Sequence, residues 1–188
     1  MNNYYEINED RYINDTKDCD MNIQYQFFLK YLKKEDGKIL DVGFGSGRDM
    51  DYFYRLGYEV EGVDPTKAFI DLLKDKYKVY NIKAEDINFV NEYDGIWACA
   101  SLLHVKRDNL KEVLIRLKSA LKKDGIIYIS FKYGDYEGIY KDRYFNFLNE
   151  NILKNILKDT NLSIVDILIT KDVRKNREDE RWLNVILK

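Results

Sequence analysis

Residues 38–49 read KILDVGFGSGRD, and this stretch decides the fold of the 188-residue chain. A short apolar strand runs into three glycines, Gly43, Gly45 and Gly47, and the chain then continues as a helix. Glycine permits a tight turn and lets the main chain approach a ligand closely. The N–H groups that open a helix attract an anion such as a carboxylate or a phosphate. The stretch therefore predicts a strand, a ligand-binding turn and a helix in succession.

The next strand, over residues 58–63, ends at Asp64, where a carboxylate can accept hydrogen bonds from both hydroxyls of a ribose. The glycine spacing discriminates between nucleotide ligands. A dinucleotide fingerprint has the pattern G-x-G-x-x-G, whereas Arg48 occupies the third glycine position here. This argues against a nicotinamide cofactor, and the missing G-K-[ST] sequence argues against a phosphate-binding P-loop.

Strand and helix patterns alternate along the chain, which predicts a mostly parallel sheet with helices on both faces. The last two strands have no helix between them and are expected to pair antiparallel. We therefore predict a doubly wound, Rossmann-like α/β sheet of seven strands in one domain over 1–188, with residues 1–19 as an N-terminal extension. The expected strands lie at or near 38–42, 58–63, 78–82, 93–98, 125–131, 162–170 and 182–187.

Local signals predict where several helices begin, end and face the core. The expected N-caps are Asp20, Thr66 and Asp108. The apolar repeat expected in the helix after Asp20 is Ile23, Phe27 and Tyr31. The residues expected to end the helix after Asp108 are Lys122, Lys123 and Gly125.

Composition and charge limit the possible functions. Hydrophobic residues make up 45% and charged residues 34%, which is typical of a soluble globular protein. The net charge of −2 predicts no broad electrostatic capture of nucleic acid. Cys19 and Cys99 form no metal-type pair, so no metal is expected. The N-terminus is not of the secretory type and no apolar run nears the ~20 residues that span a bilayer, so the cytoplasm is the predicted location and no membrane is expected.

Taken in order, four stretches resemble the motifs of the class I S-adenosylmethionine-dependent methyltransferases. Residues 39–49 resemble the first motif and Gly62-Val63-Asp64 the second. Residues 93–104 resemble the fourth motif, and residues 121–126 resemble the turn before the fifth strand. Within the class, the chain is most similar to small bacterial stand-alone domains of the methyltransferase-11 and tellurite-resistance-like kind. The resemblance extends from about residue 4 to the C-terminus.

This resemblance implies S-adenosylmethionine as the cofactor and S-adenosylhomocysteine as the product. It places the main chain of Gly43, Gly45 and Gly47 along the homocysteine and ribose. It directs Asp41 to the methionyl amine and Asp64 to the ribose. The other cofactor-binding residues that it implies are Tyr12, Thr16, Phe44, Arg48, Pro65, Glu85, Asp86, Cys99 and Ala100. Phe44 stands where many relatives carry cysteine, and the third motif lacks their usual glycine-aspartate start.

Two charged or titratable residues near the glycine loop have two interpretations each. His104, the only histidine, follows the fourth strand on the cofactor side. It is either a catalytic base or substrate contact, or a histidine packed at the start of a helix. Arg48 either binds the cofactor carboxylate or an anionic substrate, or forms a surface pair with Asp49 or Asp51.

Substrate specificity is expected in the irregular segment 133–149, because loops at this edge of a sheet carry binding residues. The candidate substrate residues there are Tyr133, Arg143 and Tyr144. The alternative is a solvated insert with its own aromatic cluster. The turn over 171–181 carries charges of both signs, which favours a solvated hairpin tip over an anion- or RNA-binding loop.

We expect an enzyme that transfers a methyl group by in-line displacement to a small molecule or metabolite. A nucleic-acid acceptor, tRNA or a nucleotide, is the alternative, and a continuous basic face around Arg143, Arg174 and Arg177 would favour it. The third possibility is a module that binds S-adenosylmethionine without transferring its methyl group.

Overall fold

The computed structural model describes residues 9–140, 143–174, 177 and 179–188, with side chains from residue 13 onward. The helices are α1 (Glu9–Thr16), α2 (Asn22–Leu29), α3 (Arg48–Arg55), α4 (Lys67–Leu73), α5 (Arg107–Ala120) and α6 (Glu150–Ile156). The strands are β1 (Lys38–Val42), β2 (Glu59–Val63), β3 (Lys78–Tyr80), β4 (Tyr93–Ala98), β5 (Leu121–Lys132), β6 (Glu137–Tyr140), β7 (Arg143–Asn146), β8 (Ile164–Lys171) and β9 (Arg181–Leu187). Short 3-10 turns lie at Ala84–Asp86 and Leu102–His104.

Seven of these strands form one sheet in the order β3-β2-β1-β4-β5-β9-β8. The strands from β3 to β5 are parallel, and β9 runs antiparallel to both of its neighbours. The predicted doubly wound sheet with an antiparallel last strand is therefore confirmed. The winding reverses between β1 and β4, and such a reversal opens a crevice at the carboxyl ends of the two strands.

Apolar side chains cover both faces of the sheet, because successive residues of a buried strand alternate between the faces. Leu40 and Val42 pack on the face that α5 and α6 cover, whereas Ile39 packs on the face of α2, α3 and α4. The close approach of α2 depends on Gly95, where an added Cβ would lie 2.7 Å from Phe28 Cζ. Helices on both faces thus leave the carboxyl edge of the parallel strands for a ligand.

The predicted apolar face of the helix after Asp20 is wrong. In α2 the buried residues are Gln24, Tyr25 and Phe28, and Ile23 is 64% exposed. The reason is that Phe28 packs against Gly95. This contact rotates the buried face of α2 by one residue relative to the i, i+4 apolar repeat of the sequence. Asp20 does accept a hydrogen bond from the N–H of Asn22 at 2.9 Å, just before the helix.

One of the other predicted helix boundaries is confirmed and two differ. Thr66 is the N-cap residue of α4, but its hydroxyl makes no capping hydrogen bond. Asp108 lies inside the first turn of α5, whose N-cap is Lys106. The helix ends at Ala120 rather than at residues 122–125, because Leu121 already pairs with Tyr93 of β4. Pairing with a neighbouring strand therefore ends the helix before it reaches the lysines and the glycine that were expected to end it.

The segment 133–149, predicted to be irregular, contains an antiparallel hairpin of β6 and β7. Tyr140, Phe145 and Phe147 form a small aromatic cluster there, with ring centroids 5.8 to 6.1 Å apart. Edge-to-face packing of this kind stabilises a hairpin beyond the area that it buries.

Replacing Gly62 by alanine should destabilise the protein. An added Cβ at Gly62 would lie 2.5 Å from Phe44 Cδ1 and 3.0 Å from Met50 Sδ, and overpacking of this kind costs about 1–3 kcal/mol. Urea unfolding followed by circular dichroism should show the lower free energy of unfolding. Phe44→Leu in the same chain should recover part of the loss, and an unchanged unfolding midpoint for Gly62→Ala alone would contradict this contact.

Candidate active site

The glycine loop between β1 and α3 adopts a conformation that requires glycine. Gly43, Gly45 and Gly47 have φ values of 77°, 54° and 82°, in the left-handed region that side chains disfavour. The loop also passes close to its neighbours, since an added Cβ at Gly43 would lie 2.4 Å from Ser101 Cβ. The main chain is thus bare at the carboxyl ends of β1 and β4, as the sequence predicts.

Asp64, at the end of β2, joins the glycine loop to the start of α4. Its carboxylate accepts hydrogen bonds from the N–H of Gly45 at 3.1 Å and from the N–H of Thr66 at 2.8 Å. Burial raises the pKa of Asp64, although the two N–H groups act in the opposite direction. A buried carboxylate that faces a cavity and has spare lone pairs favours hydroxyl donors from a ligand.

Two open cavities meet at the carboxyl edge of the sheet. The first, of about 1930 Å³, we call the Asp64 cavity, and its lining includes Gly45, Asp64, Pro65, Ala84, Glu85 and Tyr144. The second, of about 980 Å³, we call the Arg48 cavity, and its lining includes Thr16, Arg48, Cys99, Ser130, Phe145 and Trp182. Both cavities are lined by Gly43, Ala100, His104 and Arg143. The shared residues mark the place where a ligand in one cavity would meet a ligand in the other.

Arg48 is held firmly at the wall of the Arg48 cavity. Its guanidinium donates to both carboxylate oxygens of Asp49, at 2.6 and 3.0 Å, and to the carbonyl of Thr16 at 3.1 Å. Asp49 also accepts from Tyr25 at 2.5 Å and from Trp97 at 2.9 Å. Burial alone would raise the pKa of Asp49, but Arg48 and these donors hold it below its ordinary value. The expected pair with Asp49 is present, but it is buried rather than on the surface, and it lines a cavity.

His104 lies at the junction of the two cavities with a defined tautomer. Its Nδ1 is 2.8 Å from the carbonyl oxygen of Tyr144. A carbonyl can only accept, so Nδ1 carries the proton and the lone pair is on Nε2. Burial lowers the pKa of His104 to about 4. The positive charge of Arg143 also lowers this pKa, whereas the hydrogen bond to the Tyr144 carbonyl raises it. The imidazole is therefore neutral near pH 7.

The hairpin that carries Tyr144 is fastened by Arg107 at the start of α5. The Arg107 guanidinium donates to Asn146 Oδ1 at 3.0 Å, to the carbonyl of Asp135 at 3.1 Å and to that of Phe147 at 3.0 Å. The Arg107 N–H also donates to Glu137 at 3.0 Å. These contacts position the hairpin over the two cavities and with it the carbonyl that orients His104.

Two buried polar atoms near Gly43 have no hydrogen-bond partner among the described residues, Asp41 Oδ2 and Ser101 Oγ. Burial raises the pKa of Asp41, and the negative charge of Asp49 adds to this. A cation near Asp41 would relieve both effects, so the group suits an ammonium. The donor set around the glycine loop therefore fits a ligand with an amine and several hydroxyls.

Most residues singled out from the sequence come together at this edge. Those that line a cavity are Thr16, Gly43, Phe44, Gly45, Arg48, Asp64, Pro65, Glu85, Cys99, Ala100, His104, Arg143 and Tyr144. Those that line neither cavity are Asp41, Gly47, Asp86 and Tyr133, and Tyr133 instead donates to Glu150 at 2.9 Å. The side chain of Tyr12 lies outside the described residues.

Sequence reasoning missed several residues of the Arg48 cavity. They are Ser130 on β5, Asp172 in the turn that joins β8 to β9, and Trp182 on β9. The expectation of a solvated hairpin tip is wrong for Asp172, which is only 8% exposed. The sequence predicts a strand over 125–131, but the antiparallel pairing of β5 with β9, which brings Trp182 beside Lys132, has no local signal.

Comparisons with known proteins agree on one class. Residues 39–125 match a family described as a methyltransferase domain. An uncharacterised methyltransferase of Alkaliphilus oremlandii (strain OhILAs) is 26% identical over 131 residues, which cover 67% of this chain and 59% of that protein. Another, of Schizosaccharomyces pombe, is 23% identical over 116 residues, which cover 53% of this chain and 40% of that protein. The chain thus spans about half the length of these curated relatives.

Among solved structures, the 1,6-didemethyltoxoflavin-N1-methyltransferase of Burkholderia thailandensis has a TM-score of 0.76 and 20% identity, covering 97% of this chain and 82% of that one. It was crystallised with 1,6-didemethyltoxoflavin and S-adenosylhomocysteine. Residues 39–125 therefore match a methyltransferase domain, and the chain shares the fold of this methyltransferase. Both findings agree with the resemblance to class I S-adenosylmethionine-dependent methyltransferases, and with S-adenosylmethionine as the expected cofactor. The narrower resemblance to the tellurite-resistance-like kind stays a prediction.

In the part of the chain that the structure describes, no helix is both long and apolar enough to cross a membrane. Over the same residues, no three or more histidine, cysteine, aspartate or glutamate side chains are grouped so as to hold a metal ion.

Acid should destabilise the wild-type protein more than the variant His104→Asn. The pKa of His104 is lowered by burial to about 4, whereas histidine in an unfolded chain has a pKa of about 6.5. Between these values the unfolded state binds the additional proton, so the free energy of unfolding falls as the pH falls. From pH 7.5 to 4.5 the wild type should lose about 2–3 kcal/mol more than the variant.

Urea unfolding at the two pH values measures this difference. Asparagine can still donate an N–H to the Tyr144 carbonyl, so the variant removes the titration with little change in contacts. Equal losses in the two proteins would contradict the buried, neutral imidazole.

Proposed function

We propose that this methyltransferase transfers a methyl group from S-adenosylmethionine to a small-molecule acceptor, with one ligand in each cavity. The observation that carries the proposal is the meeting of two cavities at Gly43, Ala100, His104 and Arg143, where the winding of the sheet reverses. Catalysis of a group transfer requires that the two reactants be held in line and away from water.

The Asp64 cavity suits the nucleoside part of the cofactor. Asp64 would accept hydrogen bonds from the ribose hydroxyls, while Pro65 and Glu85 would border the adenine. The methionyl part would lie along the main chain of Gly43 toward the Arg48 cavity. Asp41, two residues before Gly43 and with an unpartnered Oδ2, suits its amine. Thr16 and Cys19 of the N-terminal extension line the Arg48 cavity, so we propose that this extension covers the ligands.

The chemistry needs alignment more than a reactive side chain. When bound, S-adenosylmethionine supplies a methyl group whose bond to sulfur breaks as the acceptor's electron pair forms the new bond, the old bonding electrons staying on sulfur. His104 is the proposed base for an acceptor that must lose a proton, because Nε2 has the lone pair at the junction of the cavities. Cys99 is a poor alternative, since burial raises its thiol pKa to about 12.

Several features support a small acceptor rather than RNA. The net charge is −2, and residues of β7 and of the β8–β9 turn border the Arg48 cavity. The Burkholderia methyltransferase, which has the same fold, binds a small heterocycle. The remaining alternative is a module that binds the cofactor without transferring its methyl group. Measuring methyl transfer distinguishes such a module from an enzyme.

Replacing Asp64 by asparagine should weaken the binding of S-adenosylhomocysteine about 10- to 150-fold, because a charge-assisted hydrogen bond contributes about 1.5–3 kcal/mol. Isothermal titration calorimetry measures the affinity. Asp71→Asn is the matched control, since Asp71 is on α4 and pairs with Lys67 and Lys74 at the surface. Equal affinity in wild type and Asp64→Asn would show that this acid does not hold the ribose.

Methyl transfer itself is tested with radiolabelled S-adenosylmethionine and a cell extract divided into an RNA fraction and a filtrate of small molecules. We expect label in the filtrate and none in the RNA. Label in RNA would favour the nucleic-acid alternative. Cofactor binding without label in either fraction would favour the non-catalytic module.

A further inference from the structure

The Arg48 cavity is lined by more basic than acidic side chains. Six of its lining residues are basic, namely Arg48, Lys132, Arg143, Lys171, Arg174 and Arg177. Two are acidic, namely Asp49 and Asp172. An excess of one sign in a cavity raises the local concentration of ligands of the opposite sign.

Three of the cations are neutralised by a carboxylate. Arg48 pairs with Asp49 at 2.6 Å. Arg174 pairs with Asp172 at 2.5 Å. Lys132 pairs with Glu180. These pairs fix the walls of the cavity without leaving a net charge for a ligand.

Lys171 and Arg177 differ from these three. Both line the cavity. Among the described residues, however, no carboxylate oxygen lies within 4.0 Å of a side-chain nitrogen of either one. Two cations that line one cavity repel each other, and an anion bound in the cavity would reduce that repulsion. The charge of the cavity is thus unbalanced at its β8–β9 side.

The turn that carries Arg177 is held in place at its base. Asp172 accepts hydrogen bonds from the N–H of Arg174 at 2.9 Å, from the Arg174 guanidinium and from Trp182 Nε1 at 3.0 Å. Its own N–H donates to the carbonyl of Glu180 at 2.8 Å. A carboxylate buried with this many donors fixes the described residues at the base of the turn, next to Lys171.

Lys171 is far along the sheet from the glycine loop. It is the last residue of β8, which is four strands from β1 in the sheet order. With neighbouring strands about 4.8 Å apart, the ends of β1 and β8 are separated by roughly 19 Å. The cofactor's carboxylate, held near Gly43 and Arg48, is therefore not the natural partner of Lys171.

We propose that the methyl acceptor is a small organic anion whose carboxylate or phosphate binds Lys171 and Arg177 while its apolar body contacts Leu103, Phe145 and Trp182. The proposal rests on the function proposed above, because it assigns the substrate class of the same site. It makes the β8–β9 turn the part of the chain that selects the acceptor by charge.

The test compares two dyes that differ by one charge, 8-anilinonaphthalene-1-sulfonate and its neutral counterpart N-phenyl-1-naphthylamine. Fluorescence titrations are made on protein saturated with S-adenosylhomocysteine. The wild type should bind the anionic dye at least about tenfold more tightly than the neutral dye. The double variant Lys171→Gln/Arg177→Gln should lose about tenfold in affinity for the anionic dye and keep its affinity for the neutral one.

The matched control removes two other positive charges. Lys154 and Lys158 are exposed and line neither cavity, so Lys154→Gln/Lys158→Gln should leave both dye affinities unchanged. Equal affinity of the wild type for the two dyes, or no binding of either, would overturn the proposal. A preference for the anionic dye that survives in Lys171→Gln/Arg177→Gln would overturn it as well.

Displacement of the bound anionic dye identifies the anion. Benzoate and phenyl phosphate are compared with benzamide as the neutral control. Displacement by benzoate alone assigns a carboxylate, displacement by phenyl phosphate alone assigns a phosphate, and displacement by both supports the shared chemistry. Displacement by neither, or equally by benzamide, would overturn the assignment.

Calorimetry with S-adenosylhomocysteine on the same proteins separates the two proposals. Normal binding in all three proteins with no charge preference between dyes would overturn only the substrate class. No binding in the wild type would overturn the proposed function. Weaker binding in Lys171→Gln/Arg177→Gln alone would assign the two cations to the cofactor and would also overturn the anionic acceptor.

Discussion

The carboxylate of Asp64 ties together three parts of the chain that would otherwise move separately. It ends β2, accepts the N–H of Gly45 in the glycine loop and accepts the N–H of Thr66 at the start of α4. A loop of three glycines has high conformational entropy when it is free. Its anchorage at Asp64 and its contact with Ser101 hold it open before any ligand arrives. The site is therefore largely organised by main-chain hydrogen bonds.

The parts of the fold with a local signal were predictable from the sequence. The glycine loop, the acid after β2 and the alternation of strands and helices determined the sheet and its binding edge, because each depends on residues close together in the chain. The face of α2 was not predictable, since it depends on Phe28 meeting Gly95 in a distant strand. The prediction of where α5 ends failed for the same reason. The pairing of Leu121 with a neighbouring strand outweighed the helix-ending signals that follow it in the sequence.

The candidate site divides in the same way. The Asp64 cavity, proposed for the nucleoside, is lined mainly by residues that follow β1, β2 and β4, and the order of motifs predicts that they meet. The Arg48 cavity, proposed for the acceptor, includes residues of β7 and of the β8–β9 turn, whose contacts span long sequence distances. The mixed charges of the turn resembled a solvated tip, yet Asp172 is buried by Arg174 and Trp182. The pattern of charges in the sequence cannot distinguish a solvent-exposed salt bridge from a buried one that lines a cavity.

The partner of His104 is a main-chain carbonyl, and this has a consequence for how the site can change. No substitution at Tyr144 deletes that oxygen, so the imidazole tautomer tolerates mutation of its neighbour. Only a shift of the whole hairpin can alter it, and the hairpin is fastened by Arg107 through contacts that are also largely main-chain. Side chains of the hairpin can thus change while the imidazole of His104 keeps its tautomer and its orientation.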